Sequence, residues 1–150
     1  MLEILLGHFM EVRVRCLGGT KYEMTARRHR ILSDQPVDNG GADTAMTPPE
    51  LFLSSLGACA AYYAVEYLRA RALPDEGLEI RLSAVKGDKP VRLMKLSIDV
   101  IAPGLNQRHR DGILRAVEAC LLKHTLEKPP EILVRVLSAE HLVEHEPALV

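Results

Sequence analysis

The segment from Thr47 to Arg71, TPPELFLSSLGACAAYYAVEYLRAR, constrains the fold more than any other part of the chain. Thr47 can cap the free N–H groups of a first helical turn, and Pro48 costs nothing at a position whose N–H would have no partner. Glu50 lies three residues after Thr47, which completes the capping-box pattern. The segment therefore predicts a long helix that begins at Thr47.

The middle of this predicted helix carries Cys59 among small side chains. Apolar and aromatic residues recur mostly at spacings of three or four, namely Leu51, Leu53, Leu56, Cys59, Tyr63 and Tyr67. The other residues around the turn that carries Cys59 are mainly serine, glycine and alanine, so another group must approach this turn closely. That group is either a second helix or partner subunit, or a small substrate in a pocket beside the thiol. The segment alone favours packing.

Alternating apolar and polar residues predict strands on both sides of the helix. Three strands precede it and two follow it, and turns rich in glycine and proline separate them. The first two strands form one hairpin and the last two form another. The predicted ranges are 10–16, 21–26, 28–32, 78–85 and 91–101.

The last third of the chain predicts a second helix and a final strand. Asn106 is a suitable N-cap, and apolar side chains repeat at helical spacing beyond it, with Cys120 on the apolar stripe. Residues 131–137 predict the last strand, and the form of residues 1–9 stays open. The order β-β-β-α-β-β-α-β predicts an α+β fold with antiparallel sheets and two main helices.

Length and composition predict one domain, residues 1–150, that binds neither nucleic acid nor a membrane. Nineteen lysines and arginines against twenty aspartates and glutamates give a net charge of −1, and the basic residues form no stripe. Apolar runs such as LEILLG are far shorter than the roughly 18 residues of a membrane span. Met1 is followed by no basic region or cleavage site, so we expect a cytoplasmic protein.

The cysteines and histidines predict no metal site. Three cysteines without a CxxC pair fit neither a secreted disulfide framework nor a zinc site, and the histidines lack an HxxxH or HExxH pattern. No glycine-rich nucleotide loop is present, so we expect no cofactor. Taken alone, Cys59 and Cys120 are more simply interpreted as buried core residues, because a separation of 61 positions does not pair them. Cys16 has no local partner.

A longer run, SDQPVDNGGADTAMTPPELFLSSLGACAA, resembles the central signature of the OsmC and Ohr family. The shared features are a polar glycine-rich loop, a Pro-Glu-Leu helix start and a cysteine nine residues after the glutamate. The segment VEACLLKHTLEKPPEI is similar to the second cysteine region of that family. The predicted order of elements also agrees, so the resemblance extends from about Met10 to Leu137.

The resemblance implies a thiol peroxidase that reduces small organic hydroperoxides and forms an intertwined homodimer with active sites at the interface. By resemblance, Cys59 is the peroxidatic thiol and Cys120 the resolving thiol, and an external dithiol, of the lipoyl type, reduces their disulfide. Glu50 is then the acid that positions an arginine beside the thiolate. Arg28 and Arg30 both fit the arginine, and Arg28 is favoured.

Two other functions fit the same residues. The chain is alternatively a binding module for a small hydrophobic ligand, in which the cysteines only pack, or a stress-related structural dimer without chemistry. Thiol reactivity separates the first from a peroxidase, and peroxide consumption by the reduced protein separates the second. If the thiol acts, its apolar neighbours Phe52, Leu56 and Tyr63 predict a preference for organic hydroperoxides over hydrogen peroxide.

Overall fold

The computed structural model describes residues 10–138, which form five strands and three α-helices. A short 3-10 helix, Val37–Asn39, lies in the loop between the third strand and the first helix. Residues 1–9, whose form the sequence left open, lie outside the described residues. The elements in chain order are β1 (Arg13–Gly18), β2 (Lys21–Ala26), β3 (His29–Ser33), α1 (Pro48–Arg69), β4 (Glu79–Asp88), β5 (Val91–Ile101), α2 (Gln107–Glu118) and α3 (Leu121–Glu127).

The first three strands form an antiparallel sheet in the order β1-β2-β3, as predicted. Val14 pairs with Met24 and Met24 pairs with Ile31, so these three side chains form a row on one face. Val12, just before β1, lines the same surface depression as Met24 and Ile31. This apolar sheet face, defined by Val12, Val14, Met24 and Ile31, has three exposed members, Val12, Val14 and Ile31.

The strands β4 and β5 form a long antiparallel hairpin that packs against α1. The α2 helix packs against α1 as well. Ala60, Ala64 and Leu68 of α1 are buried with Ile113 and Val117 of α2, and side chains of the hairpin, including Ile80, Ile98 and Val100, pack around them. The core therefore lies between α1, α2 and the second sheet.

The start of α1 agrees with its prediction. The backbone N–H of Thr47 donates to Glu50 Oε2 at 2.7 Å and the Thr47 side chain accepts from the backbone N–H of Glu50, which is the predicted capping box. The Thr47 hydroxyl also donates to Glu50 Oε2, at 2.8 Å. By length and composition alone, the 22 residues of α1 meet the requirement for crossing a bilayer. One side of α1 nevertheless packs in the chain's own core through Ala60, Ala64 and Leu68, and the absence of a membrane partner stays a prediction.

Two predictions for the last third of the chain are wrong in detail. The second helix ends at Glu118, and the backbone is extended at Cys120 (φ −59°, ψ 128°) before α3 begins. The apolar repeat continues across this break, so the spacing of the apolar residues does not show where α2 ends. The predicted strand 131–137 has no regular structure, because within residues 10–138 no strand pairs with it, and an unpaired segment cannot form a sheet ladder.

Candidate active site

Cys59 and Cys120 lie in contact where α1 meets the junction of α2 and α3. Their sulfur atoms are 2.9 Å apart, both are free thiols, and Cys120 Sγ donates to Cys59 Sγ. A disulfide bond is about 2.05 Å long, so the two sulfurs need to approach by less than about 1 Å to form one. The pair can therefore change between dithiol and disulfide with little movement of the backbone.

The two thiols have different surroundings. Cys120 is 0% exposed, whereas Cys59 is partly exposed. Burial raises the pKa of Cys120, and the hydrogen bond to Cys59 raises it further, against a smaller opposing effect of the N–H groups at the start of α3. Cys120 is therefore protonated at neutral pH, and Cys59 is the thiol that a dissolved reagent can reach. Among residues 10–138, no three histidine, cysteine or acidic side chains gather as metal ligands would.

Aromatic side chains of α1 lie near Cys59. Tyr62 is 61% exposed and Phe52 is 38% exposed, but Leu56 is 2% exposed and belongs to the core. The rings of Tyr62 and Tyr63 meet edge to face, with centroids 5.5 Å apart. Helical side chains lean toward the N-terminus, so both tyrosines lean over the turn that carries Cys59. Tyr63 thus remains a candidate for substrate contact and Tyr62 is added. Leu56 is buried, and Phe52, which precedes Cys59, leans away from it.

A groove of about 400 Å³ between α1 and β4 lies on the opposite side of α1 from the thiol. Gly57 and Ala61, which line it, are each two residues from Cys59, and two residues turn a helix by roughly 200°. An added Cβ at Gly57 would lie 2.6 Å from Leu82 Cδ1. The small residues of this turn therefore permit close packing against a strand, β4, where the sequence predicted a second helix or a partner subunit.

Glu50 and the two arginines are not joined to the thiol pair in the described residues. Glu50 is exposed and accepts from Thr47 in the capping box, and nine residues place it on the other side of α1 from Cys59. Arg28 lies in the exposed turn between β2 and β3, and Arg30 pairs with Glu23 at 2.7 Å. Within residues 10–138, neither arginine hydrogen-bonds or ion-pairs with Glu50 or Cys59, so their proposed roles stay predictions.

Asp34, which is not among the predicted site residues, is a buried carboxylate that orders the loop before α1. Asp34 is 2% exposed, and hydrogen bonds hold its pKa far below the usual range, with the hydroxyl and N–H of Thr44 contributing most. The loop 35–46 is thereby fixed as it enters α1. Aspartate before a glycine-rich loop is a signal for this role, since its side chain bonds nearby N–H groups. The donors are Thr20 Oγ1, Gln35 N, Ala42 N, Thr44 N and Thr44 Oγ1.

Comparison with known proteins places these features in a family. The family model described as OsmC-like protein matches residues 40–135, which is well over half of the chain. This range contains α1, both thiols and the second sheet. A search of curated proteins finds no match.

Several solved structures share the fold. An osmotic stress induced and detoxification response protein from Psychrobacter arcticus 273-4 has a TM-score of 0.71 and 20% identity, over 76% of this chain and 85% of that one. The organic hydroperoxide resistance protein OsmC of Legionella pneumophila has a TM-score of 0.58 and 18% identity, over 79% and 89%. An organic hydroperoxide resistance protein of Elizabethkingia anophelis has a TM-score of 0.58 and 15% identity, over 81% and 90%. The family match and the shared α+β fold show that this chain belongs to the OsmC-like protein family.

Proposed function

We propose that this protein is a thiol peroxidase that reduces organic hydroperoxides. The observation that carries the proposal is the contact at 2.9 Å between one partly exposed and one buried thiol. The family supports it, since two solved structures of the same fold are named organic hydroperoxide resistance proteins. The shared fold alone does not give an activity, so the thiol pair is the main support.

The proposed reaction begins at Cys59. Its thiolate attacks one oxygen of the hydroperoxide, the O–O bond breaks, and the alkoxide leaves as an alcohol after it takes a proton. Cys59 is then a sulfenic acid. Cys120 attacks this sulfur, the S–O bond breaks, and hydroxide leaves as water with the proton of the Cys120 thiol. The peroxide has gained two electrons and the protein holds a Cys59–Cys120 disulfide.

The asymmetry of the pair supports this assignment of roles. A hydroperoxide must reach the first thiol from solvent, and Cys59 is the exposed one. Cys120 donates its S–H to Cys59, so the second sulfur already lies beside the first one. The buried thiol needs no access to substrate, because it reacts only with Cys59.

An arginine is proposed to stabilise the Cys59 thiolate, because Cys59 lies twelve residues after the N-cap, too far to benefit from the helix terminus. Arg28 makes no hydrogen bond or ion pair in the described part of the chain, whereas Arg30 is paired with Glu23. This difference favours Arg28 over Arg30. Glu50 is the acid proposed to hold the guanidinium.

The active form is proposed to be an intertwined homodimer. The apolar sheet face has exposed members, and the apolar side chains of residues 131–138 are exposed as well, up to 96% for Val136. Exposed apolar surface of this kind is typical of a subunit interface. Sedimentation at micromolar concentration is expected to return a dimer, and a monomer alone would leave this surface without cover and contradict the proposal.

An external dithiol, proposed to be of the lipoyl type, closes the cycle by exchange with the Cys59–Cys120 disulfide. Such a cycle needs a compartment that keeps thiols reduced, which agrees with the proposed cytoplasmic location.

The assignment is tested with Cys59→Ser, Cys120→Ser and, as a matched control, Cys16→Ser. Cys59→Ser is expected to abolish reduction of cumene hydroperoxide. Cys120→Ser is expected to complete one turnover and then accumulate over-oxidised Cys59, because no second thiol traps the sulfenic acid. Cys16 is exposed on β1 and unpaired in the described structure, so its removal is expected to leave turnover unchanged.

Mass spectrometry after one equivalent of peroxide provides the decisive measurement. The wild type is expected to contain a Cys59–Cys120 disulfide. If the protein contains neither this disulfide nor a sulfenic acid, the peroxidase proposal is refuted.

A further inference from the structure

The α1 helix makes contacts at two levels with the segment formed by α2 and the residues just after it, and the two contacts are equally far apart in sequence. At the first level, Cys59 meets Cys120. At the second, Tyr67 meets Gly112. Each step covers eight residues, and the numbers rise along α1 as they fall along α2, so the helices run antiparallel. Along α1, at 1.5 Å per residue, the two levels are about 12 Å apart.

The contact at the second level is tight. A methyl group added to Gly112 would overlap the hydroxyl and ring carbons of Tyr67. The Tyr67 ring is held from other directions, since its hydroxyl lies 3.3 Å from His109 Nδ1 and the Arg71 guanidinium carbon lies 3.7 Å from the ring centre. Arg71 Nη1 also donates to the Tyr67 carbonyl at 3.1 Å. The ring therefore has little freedom to move away from α2.

The α1 surface between the two levels includes two alanines. Ala60 and Ala64 are fully buried and present only methyl groups to Ile113 and Val117. Small side chains let the two helices approach closely. A large ring packed against a glycine defines the position of α2 along α1.

We propose that Tyr67, packed on Gly112, is a positioning residue that sets the axial register of α2 on α1 and so holds Cys120 within bonding distance of Cys59. The proposal rests on the proposed function only because that function requires a disulfide between Cys59 and Cys120. A slip of one residue moves a helix by about 1.5 Å, which is more than the approach that bond formation requires. The register therefore decides whether the disulfide forms easily.

Glycine at position 112 is otherwise unexpected. It lies inside α2 with ordinary helical neighbours, where alanine has the higher helix propensity. Propensity alone thus predicts that Gly112→Ala stabilises α2. The contact with Tyr67 predicts that the same substitution weakens formation of the Cys59–Cys120 disulfide.

The test measures the equilibrium between dithiol and disulfide in mixtures of reduced and oxidised glutathione, with thiol trapping and mass spectrometry, in a Cys16→Ser background. No peroxide is used, so the result is independent of peroxidase activity. Gly112→Ala is expected to lower the equilibrium constant for the Cys59–Cys120 disulfide by about tenfold or more, as displacements near 1 Å cost reacting groups up to about 100-fold.

Replacement of Tyr67 supplies the rescue. The double variant Tyr67→Leu with Gly112→Ala is expected to recover at least half of the loss on a logarithmic scale, because leucine lacks the overlapping ring atoms. Tyr67→Phe with Gly112→Ala is expected to recover little, since the ring carbons remain. Gly57→Ala is the matched control: it is the same change inside α1, but it meets Leu82 of β4 instead of α2, and it is expected to stay within about twofold of the parent.

Three results would overturn the proposal: a folded Gly112→Ala within twofold of its parent, no recovery in the Tyr67→Leu double variant, or an equal loss in Gly57→Ala. If Gly112→Ala does not fold alone, the double variant decides. A folded double variant with parental pairing supports the register role, and one that is unfolded or pairs weakly refutes it. Normal pairing without peroxide consumption would refute the proposed function and leave the register intact.

Discussion

Replacement of Tyr62 by alanine tests whether the surface beside Cys59 contacts the organic part of the substrate. Tyr62 is 61% exposed, leans over the turn of Cys59 and has its partner Tyr63 edge-on. An aryl hydroperoxide whose peroxide oxygen approaches Cys59 would lie across this ring. Hydrogen peroxide has no group that could do so.

The size of the effect follows from the exposed area. A tyrosine side chain has on the order of 200 Å² of surface, of which the 61% exposed fraction of Tyr62 is about 120 Å². A substrate ring covers one side, or about 60 Å². At about 25 cal/mol per Å², this contact contributes roughly 1.5 kcal/mol, or about tenfold if it is present in the transition state.

We therefore expect Tyr62→Ala to lower kcat/KM for cumene hydroperoxide by about tenfold and to leave the value for hydrogen peroxide within about twofold. Tyr62→Phe is the matched control, because it keeps the ring area and removes only the hydroxyl. The wild type itself is expected to prefer cumene hydroperoxide over hydrogen peroxide. Equal losses for both peroxides, or no loss for either, would show that the Tyr62 ring does not contact substrate.

Three further outcomes are expected. The hydrogen bonds to Asp34 lower its pKa below the ordinary aspartate value of 3.8, so they stabilise the fold fully above about pH 3.8 and less as the pH falls below that value. The urea midpoint of Asp34→Asn should therefore be below that of the wild type at neutral pH, with a smaller difference near about pH 3. Leu68→Ala should lower the free energy of unfolding by about 2–5 kcal/mol in urea titrations, because Leu68 is 1% exposed in the core between α1 and α2. In the reduced protein at mildly alkaline pH, iodoacetamide should label Cys59 well before Cys120, whose pKa is raised by burial; equal rates would contradict this.

Local signals in the sequence predicted most of the fold. The capping box at Thr47 and the hairpin turns involve residues close in the chain, and the structure has α1 and all five predicted strands before residue 102 where expected. These signals act over a few residues, so they are visible without knowledge of distant contacts. The end of α2 was missed because neither glycine nor proline marks it.

Long-range features were not available from local patterns. The spacing of Cys59 and Cys120 did not pair them, and only the resemblance to a family did. The burial of Asp34 depends on donors up to fourteen residues away, including Thr20. The prediction of a last strand was wrong for a related reason. Residues 131–137 have the alternating pattern of a strand, but the pattern does not show whether a neighbouring strand is present to pair with them.

The helix α1 is held at its two ends by different contacts, and these should affect the thiol pair differently. At its start, the Asp34 hydrogen bonds and the capping box fix the loop and the first turn, twelve residues before Cys59. Loss of Asp34 should loosen that end, yet α2 would keep its position on α1. At the other end, Gly112→Ala moves α2 itself. Asp34→Asn is therefore expected to lower stability and leave the disulfide equilibrium within about twofold, whereas Gly112→Ala shifts that equilibrium by about tenfold. If Asp34→Asn weakened disulfide formation as much as Gly112→Ala, general loss of stability rather than helix register would explain both.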